Sequence, residues 1–313
     1  MSADPPPIGP SALDARAVRR HFARAASTYD AAAVLQREIG ARMMERLDII
    51  RVAPAAILDA GCGTGEALPE LAVRYPGARR VALDVALSML AGARERTLAQ
   101  RSLVERLLRP LAGARPAALS FVCADVTSLP FAAGAFGLVW SNLTLQWAAD
   151  LEAAIAEFHR VLEVGGLATF TTFGPDTLRE LRAAFEGVDA LPHVGRFVDM
   201  HDIGDMLVAA GFADPVMQME MMTVTYPDAR ALLRDLRAIG ATNAARGRRR
   251  TLTGRRRFER ALAALEAMPG RTAEGRLPAS FEVIYGHAWK APPRRTPEGH
   301  AIVTFERTPR APR

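Results

Sequence analysis

Along the chain the apolar positions change period several times, and each change marks an element. Over residues 12 to 50, Val18, Phe22, Val34, Leu35, Ile39, Met43 and Leu47 recur at helical spacing with Tyr29 at a break, so helices packed in front of a sheet are predicted there. Shorter apolar runs then alternate with helical segments. The run into Asp59, Arg80 to Asp84, Ser120 to Ala124, and Phe136 to Ser141 read as four strands. Segments 66 to 75, 87 to 100 and 150 to 163 read as crossover helices, the last stopped by Gly165-Gly166, with strand five at Leu167 to Phe173. Next come a helix over Thr177 to Val188, a loop over Leu191 to Phe197, a helix over Asp202 to Ala210, and strands at Val216 to Tyr226 and Ser280 to Trp289. This alternation predicts an α/β fold: a Rossmann-like, seven-stranded, mostly parallel sheet with helices on both faces and helical lid insertions.

Two stretches exceed an ordinary connection. Residues 101 to 118, with Leu103, Leu107 and Leu108, predict a helical insert, and Asp228 to Leu277 predicts a mostly helical insert between the last two strands. The expected organisation is N-terminal helices over a ligand site (1–50), a binding core (51–175), a lid and insert with the last two strands of the same domain (176–290), and a tail (291–313).

The chemistry begins at residues 57 to 65, Ile-Leu-Asp-Ala-Gly-Cys-Gly-Thr-Gly. A strand running into Asp59, Gly61, Gly63 and Gly65 builds a backbone cradle for a nucleotide-like ligand. A dinucleotide fold asks for G-x-G-x-x-G facing a pyrophosphate. Here the third glycine comes one residue early and Glu66 follows, a carboxylate that repels phosphate. Acidic residues before the glycines and at the end of the next strand suit a ligand with an ammonium, a sulfonium and a free ribose diol, which describes S-adenosylmethionine. Asp84, ending strand two, can accept from both ribose hydroxyls. Asp125, ending strand three, can accept from the adenine amino group while the Val126 N–H meets a ring nitrogen. Asn142, ending strand four, lies beside the glycine loop in a parallel sheet and is the candidate contact to the methionine moiety.

Composition adds limits. A chain of 313 residues, 50% hydrophobic, is enough for one large α/β domain with insertions. Residues 1 to 10 have neither a basic n-region nor an apolar h-region, and no run holds 18 uninterrupted apolar residues, so a cytoplasmic protein without membrane contact is expected. The two cysteines, Cys62 and Cys123, form no C-x-x-C and are read as small packing residues; no metal site is expected. The net charge of +6 comes almost entirely from arginine, Lys290 being the single lysine, which fits a GC-rich codon bias and gives no reason to expect nucleic acid. Local density says more: Arg246, Arg248, Arg249, Arg250, Arg255, Arg256 and Arg257 crowd into one short stretch able to attract an acidic macromolecule.

The glycine loop with Asp84, Asp125 and Asn142 resembles class I, Rossmann-like S-adenosylmethionine-dependent methyltransferases over roughly residues 50 to 175. The chain has Ser-Asn-Leu-Thr-Leu-Gln-Trp at 141 to 147 where an Asp/Asn-Pro-Pro-aromatic sequence would suit a nucleobase amine, which disfavours nucleobase methylation.

A narrower resemblance rests on Phe22, Ala25-Ala26, Tyr29-Asp30, Leu35-Gln36, Trp140 to Leu143, Gln146-Trp147, Phe170 to Thr172, Pro192-His193, Arg196-Phe197 and Ile239 to Thr242. These are similar to the biotin-pathway malonyl-acyl-carrier-protein O-methyltransferases. The resemblance implies esterification of the free malonyl carboxylate on acyl carrier protein. Such a carboxylate, with a pKa near 4, is already ionised at neutral pH and needs no general base. Holding it inside a lid needs a cation, and Arg196 is the candidate clamp. Tyr29 resembles a family tyrosine over the cofactor site, and Arg246 to Arg257 is the expected docking face for the acidic carrier. His193 and His201 are read as polar loop residues. The segments Gly174 to Leu181 and Tyr285 to Lys290 also resemble methyltransferase-like assembly factors of respiratory complex I, which hydroxylate a partner arginine. A quinone-ring C-methyltransferase shares the same core.

Overall fold

The computed structural model describes residues 13–100, 118–188, 191–249, 251 and 253–292. The predicted 101 to 118 insert falls outside them but for its last residue, as does the tail from 293 onward. Seven strands form one sheet in the order β3-β2-β1-β4-β5-β7-β6: β1 (Ala56–Ala60), β2 (Arg79–Asp84), β3 (Leu119–Cys123), β4 (Phe136–Ser141), β5 (Leu162–Phe173), β6 (Phe212–Tyr226) and β7 (Leu277–Lys290). The first five run parallel, while β7 lies antiparallel between β5 and β6.

Both central strands are buried along their whole length, which is why they read as unbroken apolar runs and not as alternation. Trp140 and Phe136 on β4 face opposite cores, each 1% exposed. Side chains this size contribute about 1.5–3 kcal/mol each by leaving water. The edge strand β6 instead alternates and leaves Val216, Met219 and Met221 exposed.

Helices α4 (Leu68–Arg74), α5 (Leu87–Gln100) and α6 (Leu151–Val161) follow β1, β2 and β4. Asp150 caps α6 by accepting from Ala153 N at 2.9 Å. The other described helices are α1 (Ala15–Ala25), α2 (Tyr29–Ala32), α3 (Val34–Arg46), α7 (Arg179–Glu186), α8 (Met200–Ala209), α9 (Ala229–Ala238) and α10 (Arg255–Glu266).

Several boundaries differ from expectation. Helix α6 ends at Val161, and Gly165-Gly166 belong to β5: Phe136 pairs with Leu162 but Leu138 with Leu167, so residues 163 to 166 form a bulge, with Gly165 at φ +82°. The glycines mark a strand irregularity and not a helix stop. Strand β6 starts at Phe212, ahead of the predicted Val216, because the pairing with β7 resumes beyond a shift at Ala213/Val216 where Asp214 takes φ +49°. Among its described residues the 228 to 277 insert holds only α9 and α10, and the described residues between them are irregular, so Arg246, Arg248 and Arg249 lie off any helix. Cys62 is buried as expected, but Cys123 is exposed at the end of β3, an edge strand among the described ones. His201 sits in α8, paired with the N-cap residue Asp199 at 2.8 Å, not in a loop.

The N-terminal helices and the insert form one cover above the carboxyl ends of the strands. Asp14 caps α1 by accepting from Ala17 N at 3.1 Å and pairs with Arg248 at 2.9 Å. Leu13 bridges to Ala245, and Thr28 Oγ1 donates to the Ala238 carbonyl at 2.8 Å. Gly240, at φ +77°, brings its backbone against Phe22: a Cβ there would lie 3.1 Å from Cδ1 of that ring.

Candidate active site

The turn after β1 carries Gly61, Gly63 and Gly65 at φ +82°, +53° and +79°. Only glycine enters this region without strain. A Cβ on Gly61 would also lie 2.0 Å from Thr144 Oγ1, so the loop packs directly on the segment after β4. Gly61 N and Cys62 N donate to the Leu83 carbonyl at 2.7 and 2.9 Å, fixing the loop to the end of β2.

Asp84 stands at that strand end, where its Oδ2 accepts from Gly63 N at 3.0 Å and its Oδ1 from Ala86 N at 2.8 Å. Burial pushes its carboxyl up to about 6, partly offset by these backbone donors. Asp59, under the loop and 3% exposed, is pushed up to about 8 by burial and by the nearby Asp84 charge, and its Oδ2 is buried without a hydrogen-bond partner. Asp125 Oδ1 accepts from Thr127 N and Oγ1 at 2.9 and 2.8 Å, which holds the loop after β3. Val126 is buried beside it.

Asn142 is brought next to the glycine loop, but it also serves the scaffold. Its Nδ2 donates to the Gln36 carbonyl at 3.0 Å and its Oδ1 accepts from Thr171 Oγ1 at 2.6 Å, joining α3 to β4 and β5. One amide hydrogen is left for a ligand. Gly61, Gly63, Asp84, Asp125, Val126 and Asn142 line a single cavity of about 80 Å³ together with Phe22 and Tyr29, while the expected ligand residues Asp59 and Gly65 lie outside its lining. The residues fit a nucleoside with a cationic amino-acid end: a diol acceptor, an adenine edge, a glycine cradle and an orphaned buried carboxylate. The volume is below the roughly 300 Å³ at which small-molecule pockets begin, and part of the lining is shared with a larger neighbouring cavity.

Tyr29 lies over the loop, its ring 3.9 Å from where a Gly63 Cβ would be. Its hydroxyl is pushed up by burial and then by the Asp84, Asp30 and Glu66 charges, so it stays protonated and available as a donor. A network absent from the sequence reading holds it there. Asp30 Oδ1 accepts from Thr64 Oγ1 at 2.5 Å, Asp30 Oδ2 meets Arg96 at 2.6 Å, and Arg96 also meets Glu66 at 2.6 Å. Arg96 comes from α5, far along the chain, and no local spacing announces it. It also balances the Glu66 charge that sequence alone left facing the ligand.

A second, larger cavity of about 820 Å³ adjoins the first and shares Phe22, Tyr29, Leu143 and Trp147 with it. Its walls are largely apolar, from Leu178, Leu181, Phe173, Met222, Val224 and Phe281, with Arg196, Arg234 and Arg276 among its lining. Arg196 is exposed at this cavity, next to Phe197, whose ring meets Phe173 edge-on at 5.9 Å. His193 also lines the cavity, stacked on Phe185 at 4.1 Å. Arg234 and Arg276 were missed in the sequence because nothing in their neighbourhoods marks them apart from other arginines.

The arginine-rich stretch divides in two. Arg248 is committed to Asp14, and Arg246 Nε donates to the Leu13 carbonyl at 3.2 Å, so these hold the N-terminal segment. Arg255, Arg256 and Arg257 start α10 exposed. Arg250 lies outside the described residues.

Comparison with known proteins agrees with the geometry. Residues 58–170 match a family model described as a methyltransferase domain. The chain is 50% identical to the malonyl-[acyl-carrier protein] O-methyltransferase of Gallionella capsiferriformans over 93% of this chain and 96% of that one. It is 51% identical to the enzyme of the same name from Laribacter hongkongensis, over 96% and 97%. Among solved structures, the YcgJ protein of Bacillus subtilis superposes with a TM-score of 0.55 at 15% identity, covering 82% of this chain and 99% of that one, a likeness of fold. By near-full-length identity to these relatives, together with the cradle and cavities above, the chain belongs to the malonyl-acyl-carrier-protein O-methyltransferase family.

Proposed function

We propose that this chain is an S-adenosylmethionine-dependent enzyme that esterifies the free carboxylate of malonyl-acyl carrier protein, the opening step of the pimelate branch of biotin synthesis. The observation that carries the reading is the pair of adjoining cavities, one lined by the glycine turn, Asp84 and Asp125, the other apolar with arginines in its lining, in a chain about half identical to relatives of that name. The complex I assembly and quinone-ring readings have no comparable support. No described helix is long and apolar enough to cross a membrane, in keeping with action in the cytoplasm.

In this reading Asp84 accepts from the ribose hydroxyls, Asp125 and the Val126 N–H take the adenine edge, and Gly61 and Gly63 let the backbone approach the ligand, while Gly65 lets the turn pack against Ala93 and Leu68. Asp59 and Asn142 face its amino-acid end. The bound cofactor supplies an electrophilic sulfonium methyl group. A malonate carboxylate is ionised at neutral pH and attacks without a base, so the protein's contribution is alignment and exclusion of water. Tyr29, fixed by the Asp30–Arg96–Glu66 network, closes the space between the two ligands. Arg196 pairs with the acceptor carboxylate at the Phe173 and Phe197 end of the cavity, with a fork that matches both carboxylate oxygens. Arg255 to Arg257 offer the acidic carrier a cationic surface.

Incubation with methyl-labelled cofactor and malonyl-acyl carrier protein is expected to place label in a base-labile ester. Arg196→Ala is expected to raise the KM for the malonyl substrate at least about tenfold, as loss of a charge-assisted pair does, while the Kd for cofactor stays unchanged. Equal loss of both would remove the clamp.

A further inference from the structure

The larger cavity has two cationic ends set well apart, and the register of the sheet measures the separation. Strand β5 ends at Phe173, opposite Val283. Strand β7 begins six residues earlier, at Leu277, opposite Tyr226. At about 3.4 Å per residue, the β6–β7 ribbon rises roughly 20 Å beyond the end of β5. Met222, Val224 and Phe281 of this ribbon line the cavity, with Phe281 5.6 Å from the Phe173 ring. The base of the cavity, at Phe173 and Phe197, is where Arg196 sits. The tip holds Arg276 and Thr225.

Arg276 is oriented there. Its Nε donates to Thr225 Oγ1 at 2.9 Å and one terminal nitrogen to the Thr225 carbonyl at 2.7 Å, leaving its other terminal nitrogen free of these bonds. Arg234 reaches the same cavity from α9. The adjoining Asp235 accepts from the Tyr226 hydroxyl at 2.7 Å, which ties that part of α9 to the ribbon tip. Both arginines are exposed, as a binding group at a cavity mouth must be.

We infer that Arg234 and Arg276 form a phosphate subsite for the phosphopantetheine arm that carries the malonyl thioester. The inference rests on the carboxyl-methylation reading and adds the part of the substrate that the distal cavity recognises. From phosphate to terminal carboxylate, such an arm is about as long as five extended residues, roughly 17 Å, close to the rise of the ribbon. It is anionic at both ends and amide-and-methylene between. The cavity repeats that order: Arg196 at the base, an apolar wall, and two arginines at the tip. Guanidinium groups suit a phosphate oxygen pair, and a subsite at the mouth leaves the carrier's serine outside.

The test compares malonyl-phosphopantetheine with malonyl-pantetheine, which differ only in the phosphate, for the wild type, Arg234→Ala and Arg276→Gln. The readout is the ratio of kcat/KM for the two substrates within each protein, which the fraction of correctly folded enzyme does not alter. The wild type is expected to favour the phosphorylated substrate about tenfold, and each variant is expected to bring the ratio toward one. Equal kcat/KM in the wild type, a preference that survives in both variants, or turnover of malonyl-acyl carrier protein but of neither small substrate would overturn the subsite. Failure to methylate malonyl-acyl carrier protein as well would instead overturn the carboxyl-methylation reading itself.

Discussion

Asp84 lines the nucleoside cavity and Asp59 lies buried beneath the glycine loop, close enough that the Asp84 charge acts on it, and this proximity sets a pH dependence. Burial raises both above the ordinary carboxylate range, Asp84 to about 6 and Asp59 to about 8. The folded chain therefore holds protons that the unfolded chain releases near pH 4, and stability falls as pH rises until each folded value is passed. The half-buried histidines His21, His159 and His287 have lowered values and act oppositely, but only below about pH 6.5. Between pH 7 and 8 the Asp59 effect leads, and Cys62, its thiol also pushed up by burial, adds to it in the same direction as pH 8 is approached. Ligand-free protein is expected to lose about 1 kcal/mol across that unit in chemical denaturation, and Asp59→Asn is expected to flatten the slope; an unchanged slope in the variant would show that Asp59 does not hold a proton there. The sequence made these carboxylates legible because each ends an apolar run beside a glycine turn. Asn142 was legible only in part: its place at the end of β4 was readable, while its bonds to Gln36 and Thr171 depend on α3 and β5 packing around it.

Among the elements, the cover made by α1, α2 and the 228 to 277 insert decides access. Apolar spacing located its helices, and Tyr29 at a break marked the joint between α1 and α2. The fastening of the joint was not readable, because Asp30, Thr64, Glu66 and Arg96 come from three separated segments and meet only in the fold. Glu66 without Arg96 looks like an isolated charge beside the ligand; with it, the same residue helps latch the cover. Tyr29 of this cover lines both cavities, so loosening the latch is expected to ease cofactor exchange. Arg96→Ala is expected to speed cofactor release about tenfold in stopped-flow measurements and to increase amide exchange over residues 26 to 33. Slower release, or unchanged exchange there, would contradict a latch. The β5 bulge teaches the complementary lesson: Gly165-Gly166 signalled a break correctly, but a glycine pair cannot tell the end of a helix from an irregular strand.

For the molecule as a whole, a mostly parallel sheet followed from the alternation of runs, and the packing of the cover followed from nothing local. Arginine density in the sequence pointed to a stretch expected to dock an acidic carrier. The fold then separates the members that fasten the N-terminus, Arg246 and Arg248, from those that stay exposed on α10. Reversing charge at Arg255 to Arg257 is accordingly expected to slow reaction with carrier-bound substrate far more than with malonyl-coenzyme A, and the difference should shrink as salt rises through the range where the Debye length falls below about 10 Å. Equal slowing of both substrates would remove the docking role. The central claim is that the acceptor is the free carboxylate at the end of the acyl chain. The most direct measurement offers the enzyme malonyl- and acetyl-acyl carrier protein side by side with labelled cofactor and follows the carrier by intact mass before and after mild base. Methylation of the malonyl carrier alone, reversed by base, is the predicted result; a base-stable methyl group, or equal methylation of the acetyl carrier, would contradict it.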